Sequence, residues 1–288
     1  GEDTASADAA DLSDSSADDS STDATVMPVK GTAAGDRLSV MTPGWHENSN
    51  GKWYQNPDGT YYINGFAEID ETTYSFDENG YMQTGWVEKG VKDYYFNEDG
   101  SYDPSKKRPM IALTFDDGPY APVGNRIMDC AEQYGGRVTF YVVGNRVNSY
   151  KSEIQRMYAN GHEIGNHTQD HKYLQKLGAQ EIRQQVEACN QAVAAITGEA
   201  PKTVRLPGGG KNSTVLANIS QPIVLWDVDT LDWKTRNAQH TIDTVLRQVQ
   251  DGDIILMHDL YEQSVIAAET LIPELTRRGY QLVTVSEM

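Results

Sequence analysis

The chain has 288 residues, with 42 acidic against 24 basic side chains, a net charge of −18 and two cysteines. Such an acidic chain, with no basic stripe, is a poor partner for nucleic acid or anionic lipid, and two cysteines cannot build a disulfide framework. No apolar run approaches the ~20 residues of a membrane span, while the length allows one large domain and a smaller module.

Residues 1–42 are mostly Asp, Ser, Ala and Thr and contain no aromatic ring. Too little apolar surface is available there to offset the entropy of ordering, so the segment is expected to be a disordered acidic spacer. The chain opens at Gly1, as expected where a signal or anchor segment has been removed.

The composition changes at residue 43. Gly44-Trp45, Gly65-Phe66 and Gly85-Trp86 recur at spacings of 21 and 20 residues. Each bulky ring is followed eight residues later by another (Trp53, Tyr74, Tyr94) and fourteen later by the glycine of Asp58-Gly59, Asn79-Gly80 or Asp99-Gly100. Asp-Gly and Asn-Gly between alternating aromatic segments signal hairpins. A hairpin of this length cannot bury its own aromatic face, so residues 43–104 are expected to form three stacked units, a short β-solenoid.

A linker over 101–109, with Asp103-Pro104 and Arg108-Pro109, leads into a third region, 105–288. Strands are expected at 111–115, 138–143, 162–166, 203–206, 223–228, 254–257 and 281–285. Helices are expected near 122–134, 149–160, 178–197, 238–250 and 262–278. This alternation predicts an α/β fold with a parallel sheet, closing as a distorted or incomplete (β/α)7-type barrel whose functional groups gather at the strand ends. Cys130 and Cys189 fall in predicted helices and are expected to be buried free thiols.

The strand ends carry the chemistry. Asp116 and Asp117 follow the first, and two adjacent carboxylates repel unless a cation or proton divides their roles. His167 and His171 follow the third strand at a spacing that places both imidazoles on one face of a helical turn. One Asp and two His suit a divalent cation with open positions, leaving the other Asp to act as a base. Arg205 with Gly208-Gly209-Gly210, Asp232-Trp233, and Leu256 with His258 end the next strands.

Residues 110–288 resemble the polysaccharide deacetylases of the NodB-homology type, carbohydrate esterase family 4, through Thr114–Gly118, His167–His171, Arg205–Gly209, Asp229–Trp233 and Leu256–His258. The resemblance implies that Asp117, His167 and His171 hold zinc or cobalt, with zinc favoured. It also implies that Asp116 is the general base, oriented by Arg205, and His258 the general acid, oriented by Asp232. Trp233 and Leu256 would wall the acetyl pocket, and the backbone N–H of Gly208 would help bind the oxyanion. The family usually has an aromatic side chain at the position of Gly208. Residues 43–104 resemble choline-binding-type cell-wall repeats, in which Trp45, Trp53, Phe66, Tyr74, Trp86 and Tyr94 would either cage choline, stack on glycan or simply pack hairpin on hairpin.

Together these readings predict a secreted, wall-associated bacterial hydrolase, monomeric and metal-dependent. Its expected reaction is removal of N-acetyl groups from a β-1,4-linked amino-sugar polymer, foremost the N-acetylglucosamine of peptidoglycan. An O-acetyl (xylan-type) esterase, a chitin-oligosaccharide deacetylase, and a wall-binding protein with a silent catalytic domain are the alternatives.

Overall fold

The computed structural model describes residues 25–28 and 42–288. Apart from residues 90–92, the chain divides into two units between Lys107 and Arg108. Most of the segment expected as an acidic spacer lies outside the described residues. Thr25–Pro28 within it does not stay a spacer: it forms strand β1, antiparallel to β4 (Thr60–Ile63), whose free edge offers the hydrogen bonds.

In the first unit β2 (Gly44–Asn48) pairs with β3 (Gly51–Gln55), β5 (Gly65–Ile69) with β6 (Thr72–Phe76), and β7 (Gly85–Lys89) with β8 (Lys92–Phe96). The tight turns of these hairpins are not the Asp-Gly and Asn-Gly pairs. They fall at Ser49-Asn50, Asp70-Glu71 and Gly90-Val91, where Asp70, Glu71 and Gly90 take the positive φ that a two-residue turn requires. The Asp58-Gly59, Asn79-Gly80 and Asp99-Gly100 pairs turn each hairpin into the chain that follows it, closed by Asn56 N–H to Thr60 O (2.7 Å), Asp77 N–H to Tyr81 O (2.9 Å) and Asn97 N–H to Ser101 O (2.8 Å). Trp53, Phe66 and Tyr94 are buried, Phe66 packing with Tyr94 and Phe96, so these three rings do not form open cages. Trp45 and Trp86 remain exposed, and Tyr74 lies against Trp45 at 4.8 Å between centroids.

The second unit alternates strands and helices. Its strands are β9 (Met110–Asp116), β10 (Thr139–Val142), β11 (Glu163–Asn166), β12 (Val228–Asp229), β13 (Ile254–His258) and β14 (Gln281–Leu282). The helices are α1 (Ala121–Gln133), α2 (Gly144–Val147), α3 (Lys151–Ala159), α4 (Ala179–Thr197), α5 (Ser213–Ala217), α6 (Asp232–Thr235), α7 (Ala238–Gln248) and α8 (Glu262–Arg277). Asn237 caps α7 by accepting from His240 N–H (3.0 Å), and Gly198 ends α4 in a left-handed conformation.

All strand pairs of this unit are parallel, in the order β11-β10-β9-β13-β12, with β14 on the first residues of β9. The expected strands 203–206 and 223–228 are nearly absent. Val204 bridges Asn166 and Ile223, and only Val228-Asp229 pairs with β13. The cause lies in a side chain: the Arg205 guanidinium takes the Val224 and Leu225 carbonyls, so those groups need no ladder partner. Residues 223–229 thus reach both edges of the sheet, which bends round on itself.

Side chains alternate along each strand. Leu113, Phe115, Phe140, Ile255 and Met257 join the helix-side core, where both Cys130 and Cys189 lie as free thiols. Thr114, Asp116, Leu256 and His258 have the opposite parity, and the register sets Leu256 beside Thr114 and His258 beside Asp116. On this inner side a Cβ at Gly165 would stand 2.3 Å from the Tyr141 ring; glycine there leaves room for the ring.

Candidate active site

Asp116 ends β9 facing inward. Alternation would send Asp117 to the other side, but its φ of 77° bends the chain and brings both carboxylates to the same place. His167 leaves β11 with its N–H on Val142 O (2.9 Å). The histidines do not share a helical turn, contrary to the spacing argument. Residues 167–173 are a loop with positive φ at Thr168 (69°) and His171 (53°). That loop is held by the buried Asn166, whose Oδ1 accepts from Thr168 N–H (2.7 Å) while its amide donates to Val186 O (2.8 Å).

The result is a convergence on one oxygen. Asp117 Oδ1 stands 3.2 Å from His167 Nε2 and 3.1 Å from His171 Nε2. His167 Nδ1 sits 2.7 Å from Arg205 O. A carbonyl only accepts, so the imidazole proton belongs on Nδ1 and the Nε2 lone pair faces Asp117. Asp117 Oδ1 is buried and accepts no well-aligned hydrogen bond. Lone pairs facing one another around an orphaned oxygen are unfavourable alone, and a cation between them resolves the conflict. The three donor atoms lie within 4.8 Å of one another, and two imidazole nitrogens with one carboxylate oxygen suit a divalent transition metal. Burial pushes the Asp117 carboxyl up. With protons instead of a cation on those imidazole nitrogens, their hydrogen bonds and charge, with the charge of His258, outweigh burial and hold the carboxyl well below the usual carboxylate range.

Asp116 is kept apart from this cluster. Its Oδ1 accepts from the Arg205 guanidinium at 2.9 Å, and its Oδ2 lies 3.6 Å from His167. Arg205 is 0% exposed. Every guanidinium nitrogen has a partner: Thr114 Oγ1 (2.5 Å), Asp116, Val224 O (3.2 Å) and Leu225 O (2.6 Å). Its flat face lies 4.2 Å from the Tyr141 ring centre, a cation–π contact.

Across the site, His258 Nε2 is 3.9 Å from Asp117 Oδ2. Its Nδ1 donates to Asp232 Oδ1 at 2.7 Å, and its backbone N–H donates to Asp232 Oδ2 at 2.9 Å. Ser264 and the Trp233 N–H complete the shell of this buried carboxylate. Burial disfavours the imidazolium, but the hydrogen bond and charge of Asp232, with Asp116 and Asp117 beyond it, push the His258 pKa up to about 9.

Direct contacts therefore join Asp116, Asp117, His167, His171, Arg205, Asp232 and His258. Leu256 is buried two residues before His258, and the Trp233 ring is exposed beside Asp232. Gly208 has a φ of 67° and lies against the Tyr173 ring. Thr114 falls within the first motif but was given no role there, and Tyr141 and Ser264 were not singled out by the sequence: single hydroxyls and rings inside strands or helices carry no pattern that separates them from core. Asp259 is wholly buried with both oxygens lacking hydrogen bonds, and burial pushes its carboxyl well above the usual range. It fits because a neighbour has no side chain: a Cβ on Gly118 would stand 2.2 Å from its Oδ2.

Residues 103–222 match the family described as polysaccharide deacetylase. The chain is 42% identical over 186 residues to the peptidoglycan-N-acetylmuramic acid deacetylase PdaC of Bacillus subtilis, covering 65% of this chain and 39% of that protein. It is 38% identical over 184 residues to the peptidoglycan-N-acetylglucosamine deacetylase PgdA of Listeria monocytogenes, covering 64% and 40%. The chain thus spans about two fifths of the length of these curated relatives. The solved structure of the Bacillus subtilis deacetylase aligns with a TM-score of 0.62 at 42% identity, over 62% of this chain and 89% of that one. A family 4 acetyl xylan esterase from Clostridium thermocellum, solved with a cobalt ion, aligns at 0.59 and 34% identity over 62% and 89%.

Removing either half of this arrangement has a distinct signature. His167→Ala is expected to lose bound metal by elemental analysis while remaining folded. Arg205→Ala strands Asp116 without its buried partner and is expected to cost ~3–5 kcal/mol in urea unfolding. A loss below ~1 kcal/mol would show that the pair is not structurally important.

Proposed function

The chain belongs to the polysaccharide deacetylase family, and from that premise we propose that its second unit hydrolyses the acetamide of N-acetylglucosamine in peptidoglycan. The observation that carries the proposal is the division of the two aspartates. Asp117 faces the His167 and His171 nitrogens at 3.2 and 3.1 Å, whereas Asp116 is tied to Arg205 at 2.9 Å and stays available as a base. The relatives from Bacillus subtilis and Listeria monocytogenes, named for deacetylation of two peptidoglycan sugars, support the substrate class.

Asp117, His167 and His171 would hold the divalent metal, zinc in the first instance, with cobalt also suited to this donor set. When bound, it would polarise the acetamide carbonyl and acidify a water molecule. Asp116 takes a proton from the attacking water as the C–O bond forms, with Arg205 fixing the direction of its free oxygen. His258 Nε2, on the other side of Asp117, delivers a proton to the sugar nitrogen as the C–N bond breaks, releasing acetate and the free amine. Asp232 keeps that imidazole in the required tautomer and orientation. The Gly208 N–H is assigned as a donor to the developing oxyanion, and Leu256 with Trp233 as the walls around the methyl group.

A peptidoglycan substrate implies an extracellular, wall-associated enzyme, and we propose that it works as a monomer. The hairpin units are assigned to wall attachment as a short solenoid, with Trp45 and Trp86 as the rings that meet wall glycan or choline. Retention on purified cell walls is expected to fall in the Trp45→Ala/Trp86→Ala variant, and unchanged retention would reduce these units to a spacer. A second reading, O-acetyl ester hydrolysis, is favoured by the likeness to an acetyl xylan esterase. Greater acetate release from acetylated xylan than from N-acetylglucosamine oligomers would select it.

Asp116→Asn is expected to lower acetate release from N-acetylglucosamine oligomers by ~10²–10⁴-fold, the usual share of a general base. Substantial residual turnover would contradict the base assignment. Because His258 must carry its proton to act as the acid, kcat/KM is expected to fall as pH rises through its raised pKa. Asp232→Asn removes the main group raising that pKa, so its alkaline limb should move to lower pH; an unmoved limb would assign the acid elsewhere.

A further inference from the structure

Tyr173 lies two residues beyond the ligand His171 and belongs to none of the motifs discussed above. Tyr173 is 48% exposed. Its ring centre stands 6.5 Å from that of His171. The backbone beneath it is firmly held. The next residue, Leu174, is wholly buried with Val204 and Leu206, and Lys176 N–H donates to Tyr173 O (3.1 Å). The ring is therefore half-presented to solvent from an anchored turn, with the Lys176 ammonium 5.3 Å from its centre and the remaining surface open.

The seat of the ring depends on residue 208. A Cβ there would lie 2.6 Å from Tyr173 Cε1 and 3.2 Å from Cδ1. Gly208 also has a φ of 67°, which L side chains adopt at a cost. Tyr173 in this place and a side chain at 208 exclude each other. The absence at Gly208 is thus not an open gap in the rim of the site: an aromatic ring from the His171 loop fills it. Trp233, beside the Asp232 that holds His258, is also exposed at 47%. One exposed ring accordingly adjoins the metal-ligand loop and another adjoins the acid.

We propose that Tyr173 is a substrate-contacting, specificity-determining residue, its ring packing against a pyranose of the glycan next to the reacting sugar. A β-1,4-linked glucosamine unit presents an axial C–H face that loses water contact and gains dispersion contacts on an aromatic surface. Two χ angles make the ring a low-entropy platform. The proposal rests on the deacetylase reading for its choice of amino-sugar oligomer, but its test does not depend on turnover.

The zinc-loaded full chain is titrated calorimetrically with N-acetylglucosamine tetramer, and zinc content is measured in each variant. Tyr173→Ala is expected to weaken tetramer binding about tenfold or more and raise KM by a similar factor, with zinc retained. Tyr173→Phe, which keeps the ring, should bind within about twofold of the natural protein. Gly208→Ala should displace the ring and weaken binding as Tyr173→Ala does, and the double variant should be no weaker than either single one. Unchanged tetramer affinity in Tyr173→Ala would overturn the proposal, as would no measurable tetramer binding by the natural protein. Loss of zinc together with affinity would also overturn it, making Tyr173 a buttress of His171. Tyr173-dependent tetramer binding without acetate release would support the platform while contradicting the deacetylase reading.

Discussion

The second unit is organised around a charge that has no access to water. Arg205 is fully buried on the inner side of the sheet, and an unpaired guanidinium there would be prohibitively costly. Its nitrogens meet that demand by drawing in Thr114 and Asp116 from β9 and two carbonyls from residues 224–225. The same residue's carbonyl fixes the proton on His167 Nδ1. One side chain and its own backbone thus close the sheet, restrain Asp116 and aim the His167 lone pair at Asp117. The chemistry proposed for the site follows from that separation of two adjacent acids.

Much of this was legible in the sequence. Apolar runs followed by Asp, His, Arg or Asp-Trp place polar groups at strand ends, because buried parallel strands read as continuous apolar text. The five helices expected in the second unit appear within a few residues of their predicted bounds. The parallel α/β fold also agrees with the solved relatives. Asp116, Asp117, His167, His171, Arg205, Asp232 and His258 come together in space as well as in the run of motifs.

What the sequence did not reveal was mostly non-local. A spacing of four residues suggested a helical turn for His167 and His171, whereas positive φ angles in a loop bring them together. The 203–206 and 223–228 runs looked like strands, and nothing local signalled that Arg205 would take their ladder acceptors. In the repeats, Ser49-Asn50 and Asp70-Glu71 form the tight turns while the more conspicuous Asp-Gly pairs make the wider ones. Trp45 and Trp53 both meet rings of the following unit, yet only Trp53 is buried, a difference that the shared spacing does not show. Tyr173 over Gly208 is the clearest instance, since contact between residues 35 positions apart leaves no trace in spacing.

The central claim is that adjacent carboxylates perform different tasks, Asp117 as ligand and Asp116 as base. Competition titration of zinc against a chromophoric chelator tests it directly in Asp116→Asn and Asp117→Asn. The account predicts that the first keeps zinc affinity within a few-fold of the natural protein and that the second loses at least ~100-fold, in line with removal of one of three protein ligands. Equal losses in both variants, or a greater loss at Asp116, would contradict it.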